Sequence, residues 1–357
     1  MIEIDGSVGE GGGQILRTAL ALSMCTAQPF TLRHIRAKRP KPGLMRQHLA
    51  CVRAAQAVSG ATVQGAELDS MTLVFEPGAV RPGEYAFDVG SAGSSTLVLQ
   101  TVWPALLQGD RPTSLQLTGG THNPLAPPFP FIDRCFAPLV RRLGAGANLT
   151  LKRHGFAPQG GGVIEAVLTP AETLVPFDLL QRGVLRQVQA QCVAPGLGQE
   201  AALQALVPLQ AMLSDVLGPE GAALLSLETP CVPADEGPGR ALMVTLTHAE
   251  VSELATLLVG RQRRGERAPT LTSLRREIQA YQVSDGALGE YLTDQWALPL
   301  ALAVHQAGRS VAYSATVLSL HSQTNFEVIS RFLPVRFETA PVGRGWRVAV
   351  APGRDAP

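Results

Sequence analysis

The chain has 357 residues, of which 45% are hydrophobic and 17% are charged. This balance is typical of a folded protein and excludes a largely disordered chain, while the length allows one elaborated core or two domains. The formal net charge of +1 excludes a protein that is held to nucleic acid or membrane by its overall charge. A polyanionic partner would therefore need a local basic patch.

Neither the cysteines nor the start of the chain points to a secreted or membrane protein. The five cysteines are widely spaced with no C-x-x-C pair, which favours buried thiols over a disulfide framework or a zinc site. No basic and apolar leader opens the chain, and no apolar run approaches the roughly 20 residues of a membrane span. We expect a cytoplasmic protein with no membrane contact.

Three segments share a strand-helix-strand-strand order. Alternation, 3.6-residue periodicity and glycines after the helices predict this order over 30–78, 114–170 and 310–350. Each segment follows a glycine-containing turn that opens a further helix, in GEGGGQILRTALALSM, GSAGSSTLVLQTVWPALL and GALGEYLTDQWALPLALAV. Self-similarity on this scale predicts three βα modules around a shared core, and hence an α/β fold of the α+β type.

The stretch 184–282 interrupts this pattern. It is predicted as strand, helix, strand and strand, followed by a helix at LTSLRREIQAYQ, and it contains the Pro- and Gly-rich loop TPCVPADEGPGR. It has no glycine turn that opens a helix. We therefore predict a smaller inserted α/β domain at 184–282 and a repeat-built core formed by 1–183 and 283–357.

A glycine run at 9–13 leads into the first of the predicted helices. Glycines let the backbone approach a phosphate closely, and the N–H groups and dipole of a helix N-terminus attract anions. Arg17, one turn into the helix, could donate two hydrogen bonds to a phosphate. Glu10 would repel a bare anion unless a divalent metal lay between them, which makes Glu10 a candidate metal ligand. A generic tight turn is the alternative.

A basic island without any acidic residue occupies 33–53. Two prolines stiffen its centre, so we expect Arg36, Lys38 and Arg39 to project from a strand end or loop just before a helix that begins at Gly43. Arginine contacts to phosphate give affinity without sequence readout, which suits a protein that binds the ends of many RNAs. A solvated charged surface is the alternative.

His321 lies where a strand is predicted to pass into a helix, in LHSQTN. A helix N-terminus favours the neutral imidazole, which leaves one ring nitrogen free as a nucleophile. Thr324 or Asn325 could orient the ring. A hydrogen-bonded structural histidine is the alternative, and His122 and His154 have no better claim from their spacing.

Another helix start, in GEYLTDQ, combines three kinds of functional group. Tyr291, Asp294 and Gln295 share one helix face and offer an aromatic ring, a carboxylate and an amide, the groups needed to hold a nucleotide or a metal. Gln100, on the corresponding helix of the second module, and the loop 123–131 are further candidates. Ordinary packing is the alternative for each of them.

Six segments occur in the same order in a known family. GEGGGQILR, IRAKRPKPGLMRQH, GSAGSSTLVLQT, RHGFAPQGGG, LGEYLTDQ and HSQTNFEVISRFLPVRF resemble the RNA 3'-terminal phosphate cyclases of the histidine-adenylating branch. The resemblance runs through nearly the whole chain and is thinnest in the insert. It implies three repeats similar to the C-terminal domain of translation initiation factor 3, with a smaller inserted α/β domain.

The resemblance also implies a reaction. ATP would convert an RNA 3'-phosphate into a 2',3'-cyclic phosphodiester through a covalent His321-AMP and an RNA(3')pp(5')A intermediate, with release of pyrophosphate and AMP. Glu10 would bind Mg²⁺ or Mn²⁺. The residues implied for the nucleotide are Gln100, Pro127, Phe131, Tyr291, Leu292, Thr293, Asp294 and Gln295. Those implied for the RNA phosphate are Arg17, Arg36, Arg39, Gln47 and His48.

Two positions depart from the family pattern: Ser322 stands where leucine is usual, and His122 where aspartate is common. Two other classes share some of these features. Non-catalytic, cyclase-like ribosome-biogenesis proteins keep the fold but lack the histidine nucleophile. Carboxyvinyl transferases that resemble EPSP synthase have similar repeated modules and act on small anions without ATP. Of these classes we expect the cyclase. The sequence carries no signal of oligomeric state, and a homodimer is only the commonest default for a soluble enzyme.

Overall fold

The structure is a computed structural model that describes residues 1–259 and 270–353, so the part of the predicted insert at 260–269 lies outside the described residues. The described chain forms four small sheets, each flanked by helices. The predicted α/β class is confirmed. The specific likeness of the repeats to the initiation-factor domain stays a prediction.

The first module is a four-stranded sheet with two helices. Its elements are β1 (Ile2–Asp5), α1 (Gly13–Thr26), β2 (Phe30–Arg33), α2 (Arg46–Ser59), β3 (Thr62–Gln64) and β4 (Leu73–Glu76). The strand order is β1-β2-β4-β3, with β1 and β2 parallel. Strand β2 ends earlier than predicted because His34 and Arg36 adopt φ values of 53° and 54°. The following helix begins at Arg46 rather than Gly43, so the centre of the basic island is a loop.

The second module repeats this arrangement. Its elements are β5 (Glu84–Asp88), α3 (Ser95–Leu106), β6 (Thr113–Gly119), α4 (Phe129–Phe131), α5 (Ala137–Arg142), β7 (Gly146–Arg153) and β8 (Gly162–Thr169), with a π-helical turn between α4 and α5. The strand order is β5-β6-β8-β7, again with the first two strands parallel. The predicted strand-helix-strand-strand order is confirmed in both modules.

The segment predicted as an insert forms its own sheet. Its elements are β9 (Leu185–Val193), α6 (Gln199–Ala223), β10 (Leu225–Glu228), β11 (Arg240–His248), β12 (Ser252–Val259) and α7 (Leu271–Val283). The strand order is β10-β9-β11-β12. This is one strand more than predicted, because the four residues of β10 follow α6 almost directly and have no turn signal of their own.

Helix α6 is the one helix of the described residues that is long and apolar enough to cross a membrane, with a mean hydropathy of 1.3 over its best window. This differs from the prediction that no apolar run approaches that length. Length and composition alone carry little weight, since helices of folded cores meet the same criterion. In α6 a stripe at Ala202, Leu206, Leu209 and Leu213 is buried on the insert's sheet, and Gly218 interrupts the helical geometry.

The third module lacks a complete first strand. Its elements are α8 (Glu290–Ala307), β13 (Val311–Ala315), α9 (Leu320–Phe332), β14 (Val335–Val342) and β15 (Gly345–Pro352), with strand order β13-β15-β14. In the other modules a full parallel strand, β1 or β5, lies at one edge of the sheet. At the equivalent edge of the third module, β13 has only two parallel bridges, to Leu179 and Leu288. These residues flank the insert, so the insert interrupts the third module at the position of its first strand.

Buried apolar side chains form two clusters in the described residues. The larger one joins the three modules, and the smaller lies between the insert's sheet and helices α6 and α7. Residues of β11 alternate between them: Met243 belongs to the larger cluster and Val244 to the smaller. The insert's sheet therefore packs one face on the modules. The domain boundaries at 183/184 and 282/283 stay predictions.

Candidate active site

The glycine run before α1 packs against the start of α9 and is hydrogen-bonded to it. Gly9 and Gly11 have φ values of 60° and 62°, a region that favours glycine. A Cβ on Gly9 would also collide with the side chain of Thr324, and the N–H of Glu10 donates to Thr324 Oγ1 at 3.2 Å. The loop and the helix N-terminus therefore form one unit, although they are 314 residues apart in the chain.

His321 is the second residue of α9, which is capped by Ser319. Its side chain is about half exposed, at 49%. Nδ1 lies 2.7 Å from Gln14 Oε1, and the Gln14 amide nitrogen donates to Asp294. With the oxygen of Gln14 facing the ring, this contact is a hydrogen bond in the tautomer that carries its proton on Nδ1, and in that tautomer Nε2 keeps its lone pair. The arrangement presents Nε2 as a nucleophile.

The residue that orients His321 is Gln14, and the predictions of Thr324 and Asn325 for this role are wrong. Thr324 bonds the glycine loop, while Asn325 accepts from Thr18 Oγ1 at 2.8 Å and donates to the carbonyl of Asp294 at 2.8 Å. Both predicted residues follow His321 on the same helix, and their side chains bond these other partners. A polar residue directly after the glycine run was the only sequence signal for Gln14.

The electrostatic surroundings favour the neutral form of His321. Burial lowers the pKa of His321, and the nearby guanidinium groups of Arg39 and Arg17 lower it further. The direction matches the sequence-based expectation, but its main cause is burial rather than the helix terminus. A neutral imidazole at physiological pH is the form required for nucleophilic attack.

Glu10 is a carboxylate held in an unusual environment. Its side chain is only 7% exposed, it forms an ion pair with Arg39, and both carboxylate oxygens are buried without a conventional hydrogen bond. Its Oε1 also lies 3.8 Å from Nε2 of His321. The described residues contain no group of three or more His, Cys, Asp or Glu side chains placed to hold a metal. A single carboxylate nevertheless fits Mg²⁺ or Mn²⁺ that is shared with substrate phosphates.

The residues predicted to bind the RNA phosphate divide into two groups. Arg17 and His48 both border Gly13, where a Cβ would meet the ends of both side chains, and Arg39 reaches Glu10. Arg36 and Gln47 are held by backbone instead. Arg36 donates to the carbonyls of residues 41 and 43, and Gln47 accepts from the N–H of residue 94 at 3.0 Å. In the first group, Arg17 and Arg39 lie near enough to His321 to lower its pKa.

Two of these side chains, Arg17 and His48, have a lowered pKa. Burial lowers the pKa of Arg17, which forms no ion pair with a described residue. Burial, together with the charges of Arg17 and Arg36, lowers the pKa of His48 to about 3. His48 is therefore neutral at pH 7 and can contribute hydrogen bonds to an anion, whereas the cationic charge comes from the arginines.

The residues predicted to bind the nucleotide also differ in accessibility. Asp294 joins the His321 cluster through Gln14, and burial raises its pKa to about 7. Gln295 accepts a hydrogen bond from Gln100, which lies one turn after Thr96, and Thr96 donates to the carbonyl of Pro127. These contacts join α3 to the loop at 127 and to α8, and α8 is linked to His321 through Asp294 and Gln14.

Four further predicted positions do not share one environment. Tyr291 is exposed at 56%, whereas the side chains of Phe131, Leu292 and Thr293 are almost fully buried. The N–H of Thr293 is already bonded to the carbonyl of Gly289. Contact of a nucleotide with these three buried side chains would require movement, and their roles stay predictions.

His122 lies in a different environment from the His321 cluster. It is 2% exposed, stacks on Phe156 and lies beside His154, whose Nδ1 is 2.7 Å from a carboxylate oxygen of Glu236. Burial is the largest cause that lowers the pKa of His122 to about 3, and its Nε2 has no hydrogen-bond partner in the described chain. His122 therefore has the features of a packed histidine rather than an accessible nucleophile.

These features describe a mixed α/β protein in which a glycine loop, arginines and a buried carboxylate surround a neutral histidine. Such a site is suited to chemistry on phosphates. A sequence model described as RNA 3'-terminal phosphate cyclase matches residues 8–339, which is nearly the whole chain. The chain belongs to the RNA 3'-terminal phosphate cyclase family, as predicted. The family acts on RNA, and its general activity is the cyclisation of 3'-terminal phosphates.

Proposed function

We propose that this protein is a cytoplasmic, ATP-dependent RNA 3'-terminal phosphate cyclase that works through a covalent His321-AMP. The observation that carries the proposal is the 2.7 Å contact between His321 Nδ1 and Gln14 Oε1, which leaves Nε2 unprotonated beside Glu10, Arg17 and Arg39. Nucleophile, orienting group and phosphate-binding charges thus converge in one place.

In the first step, Nε2 of His321 attacks the α-phosphorus of ATP. A P–N bond forms, the bond to the bridging oxygen breaks, and pyrophosphate leaves with the electron pair. The imidazole becomes cationic in this step, because Nδ1 keeps its proton. Gln14 Oε1 accepts that proton in a hydrogen bond, so it stabilises the developing charge without removing the proton.

In the second step, an oxygen of the RNA 3'-phosphate attacks the phosphorus of the bound AMP. The P–N bond breaks and His321 returns to its neutral form, which leaves RNA(3')pp(5')A. In the third step, the adjacent O2' attacks the terminal RNA phosphorus, AMP departs and the O2' proton is released. Adenylation supplies a good leaving group, and the neighbouring hydroxyl has the high effective molarity of an intramolecular nucleophile.

Charges on the protein would balance the phosphates that meet in the site. Arg17 and Arg39 lie near His321 and contribute two guanidinium groups, while neutral His48 offers a hydrogen bond. Glu10 would hold Mg²⁺ or Mn²⁺, which neutralises charge on the triphosphate when bound. Arg39 would then be able to exchange its Glu10 partner for a phosphate oxygen.

The deciding experiment is self-adenylation with α-labelled ATP and Mg²⁺ or Mn²⁺, followed by denaturing electrophoresis. Wild type and His122→Phe should carry acid-labile label. The labelling rate of His321→Ala should be at least about 1,000-fold lower, because the nucleophile is absent. His122→Phe is the matched control, since it removes a buried imidazole outside the cluster. Label that persists on His321→Ala would exclude His321 as the nucleophile, and an unlabelled wild type would favour the non-catalytic RNA-binding alternative.

The proposed metal ligand has its own test. Glu10→Gln keeps the size of the side chain but removes its charge, and the metal concentration for half-maximal labelling should rise by about 10- to 100-fold. Glu3→Gln is a control, because Glu3 is an exposed carboxylate that pairs with Arg33 away from the site. An unchanged metal requirement in Glu10→Gln would remove Glu10 from this role.

A further inference from the structure

Helix α8, which carries Tyr291, Asp294 and Gln295, does not complete its own N-terminal cap. Its N-cap residue is Gly289, which has no side chain, and its third helical residue is Leu292. In a capping box, a polar side chain at that third position accepts the N–H of the N-cap residue. Leucine cannot do this, so the N–H of Gly289 needs an acceptor from elsewhere.

The acceptor comes from the insert. Glu253, on β12, is 6% exposed, and its Oε2 accepts the N–H of Gly289 at 3.1 Å. A Cβ on Gly289 would collide with the Glu253 carboxyl group, although the φ of −69° at this position suits any residue. Glycine is therefore required here by the close approach of Glu253 rather than by backbone conformation. The carboxyl group replaces the missing capping side chain.

The buried carboxyl group is suited to this contact near neutral pH. Burial is the main cause that raises the pKa of Glu253 to about 8, and Glu277 raises it further, while the Gly289 N–H and Arg182 oppose the increase. The carboxyl group is mostly protonated at pH 7, and its carbonyl oxygen still accepts a hydrogen bond. Its charge is therefore not needed for the cap.

A second group of the insert holds the same segment. The hydroxyl of Tyr281, near the end of α7, donates to the carbonyl of Ala287 at 3.0 Å. Arg182, on the other connection between insert and modules, donates to the carbonyl of Tyr281 at 2.7 Å and lies 4.0 Å above its ring. The insert thus contacts the two residues on either side of Leu288, immediately before the helix that reaches the candidate active site.

We propose that Glu253 of the insert is a positioning residue that caps α8 and so sets the nucleotide-binding helix in register with the nucleophile. From Gly289 the helix leads to Asp294, which contacts Gln14, and Gln14 contacts His321. The proposal rests on the proposed function for its kinetic consequence, whereas the cap itself is a property of the fold. It gives the insert a role in ATP binding without direct contact to the nucleotide.

The experiment compares Glu253→Leu with Glu253→Gln in the full chain. Self-adenylation is measured without RNA over a range of ATP concentrations, and backbone hydrogen exchange of the peptide 286–294 is measured without ATP. Glu253→Leu removes the acceptor and should raise the KM for ATP, taken as the concentration that gives half the maximal labelling rate, by about 3- to 10-fold, the equivalent of one buried hydrogen bond. The maximal rate of this single labelling turnover should change less. Exchange in this peptide should be faster. Glu253→Gln keeps a neutral acceptor and should restore both values to within about 2-fold.

Two further variants separate capping from general damage. Glu250→Leu removes the 3.2 Å ion pair between Glu250 and Arg142, another contact of the insert with the modules, and should leave the KM for ATP and the exchange of 286–294 unchanged. Tyr281→Phe removes only a hydroxyl group and should speed exchange less than Glu253→Leu does. If Glu253→Leu fails to fold, hydrogen exchange in Tyr281→Phe still tests whether the insert stabilises residues 286–294.

The outcomes distinguish the two proposals. The cap would be overturned if both Glu253→Leu and Tyr281→Phe showed wild-type hydrogen exchange at 286–294. It would also be overturned if Glu253→Gln changed the exchange and the KM for ATP as much as Glu253→Leu does. An unlabelled wild type would overturn the proposed function, and the exchange measurement would still decide whether Glu253 caps α8. Faster exchange with an unchanged KM would overturn the link from the cap to ATP binding.

Discussion

His321 and His122 both have a pKa below the ordinary value, yet they lie in opposite kinds of surroundings. His321 is half exposed at a helix N-terminus, and its ring is held by Gln14 so that one nitrogen stays open. His122 is 2% exposed and stacked on Phe156, and Thr121 Oγ1 lies 2.9 Å from its Nδ1. A lowered pKa therefore does not identify a nucleophile. Access and an orienting partner distinguish the two sites.

Removing the hydrogen-bond partner of each Nδ1 tests this difference directly. Gln14→Leu should lower the rate of self-adenylation by about 100-fold, because the ring loses its orientation and the acceptor for its proton. Thr121→Val removes the corresponding partner of His122 and should leave the rate within about 2-fold. Single-turnover labelling measures both. Equal rates in Gln14→Leu and wild type would mean that Gln14 does not orient the nucleophile.

The second test uses the pH dependence of stability. The pKa of His122 is about 3 in the folded chain and near the ordinary 6.5 when unfolded, so the unfolded state binds more protons between these values. Stability is therefore lost as the pH falls below 6.5. His122→Phe removes this loss. Between pH 7 and pH 5 its free energy of unfolding should therefore fall by about 2 kcal/mol less than that of wild type.

Urea unfolding at the two pH values measures this difference. His321→Phe should show a smaller change, since the wild-type ring is half exposed and water screens its charge. The same pH dependence in His122→Phe and wild type would mean that His122 is protonated without cost in the folded state.

The third and smallest effect concerns the arginine near each histidine. Arg39 is one cause of the lowered pKa of His321, and Arg134 is one cause of the lowered pKa of His122. In the proposed mechanism only the neutral imidazole attacks, so labelling should fall on the acid side as His321 becomes protonated. Arg39→Gln removes a positive charge, raises the pKa of His321 and should move this acid limb to higher pH. Arg134→Gln should leave the pH of this acid limb unchanged. If both variants shifted the limb equally, its assignment to His321 would be contradicted.

Much of the local structure was predictable from the sequence. The helices that begin near Gly13, Glu290 and Leu320 follow from glycine or serine caps and from apolar periodicity, which are properties of neighbouring residues. The order of strands and helices in the three modules was predictable for the same reason. Errors fell where these short-range signals are weak, as at β10, or where positive φ values end a strand early, as at His34.

The amino-acid sequence is thus enough to infer the elements, their repetition and, through the family resemblance, the choice of His321. The groups that meet that histidine become visible only in the folded chain. Gln14 and His321 are 307 residues apart, and Glu253 reaches Gly289 from another sheet. The tertiary structure also decided that the side chains of Leu292 and Thr293 turn into the core while Tyr291 stays exposed. Local patterns depend on a few consecutive residues, whereas these contacts depend on how separate modules pack, and no short-range pattern records that.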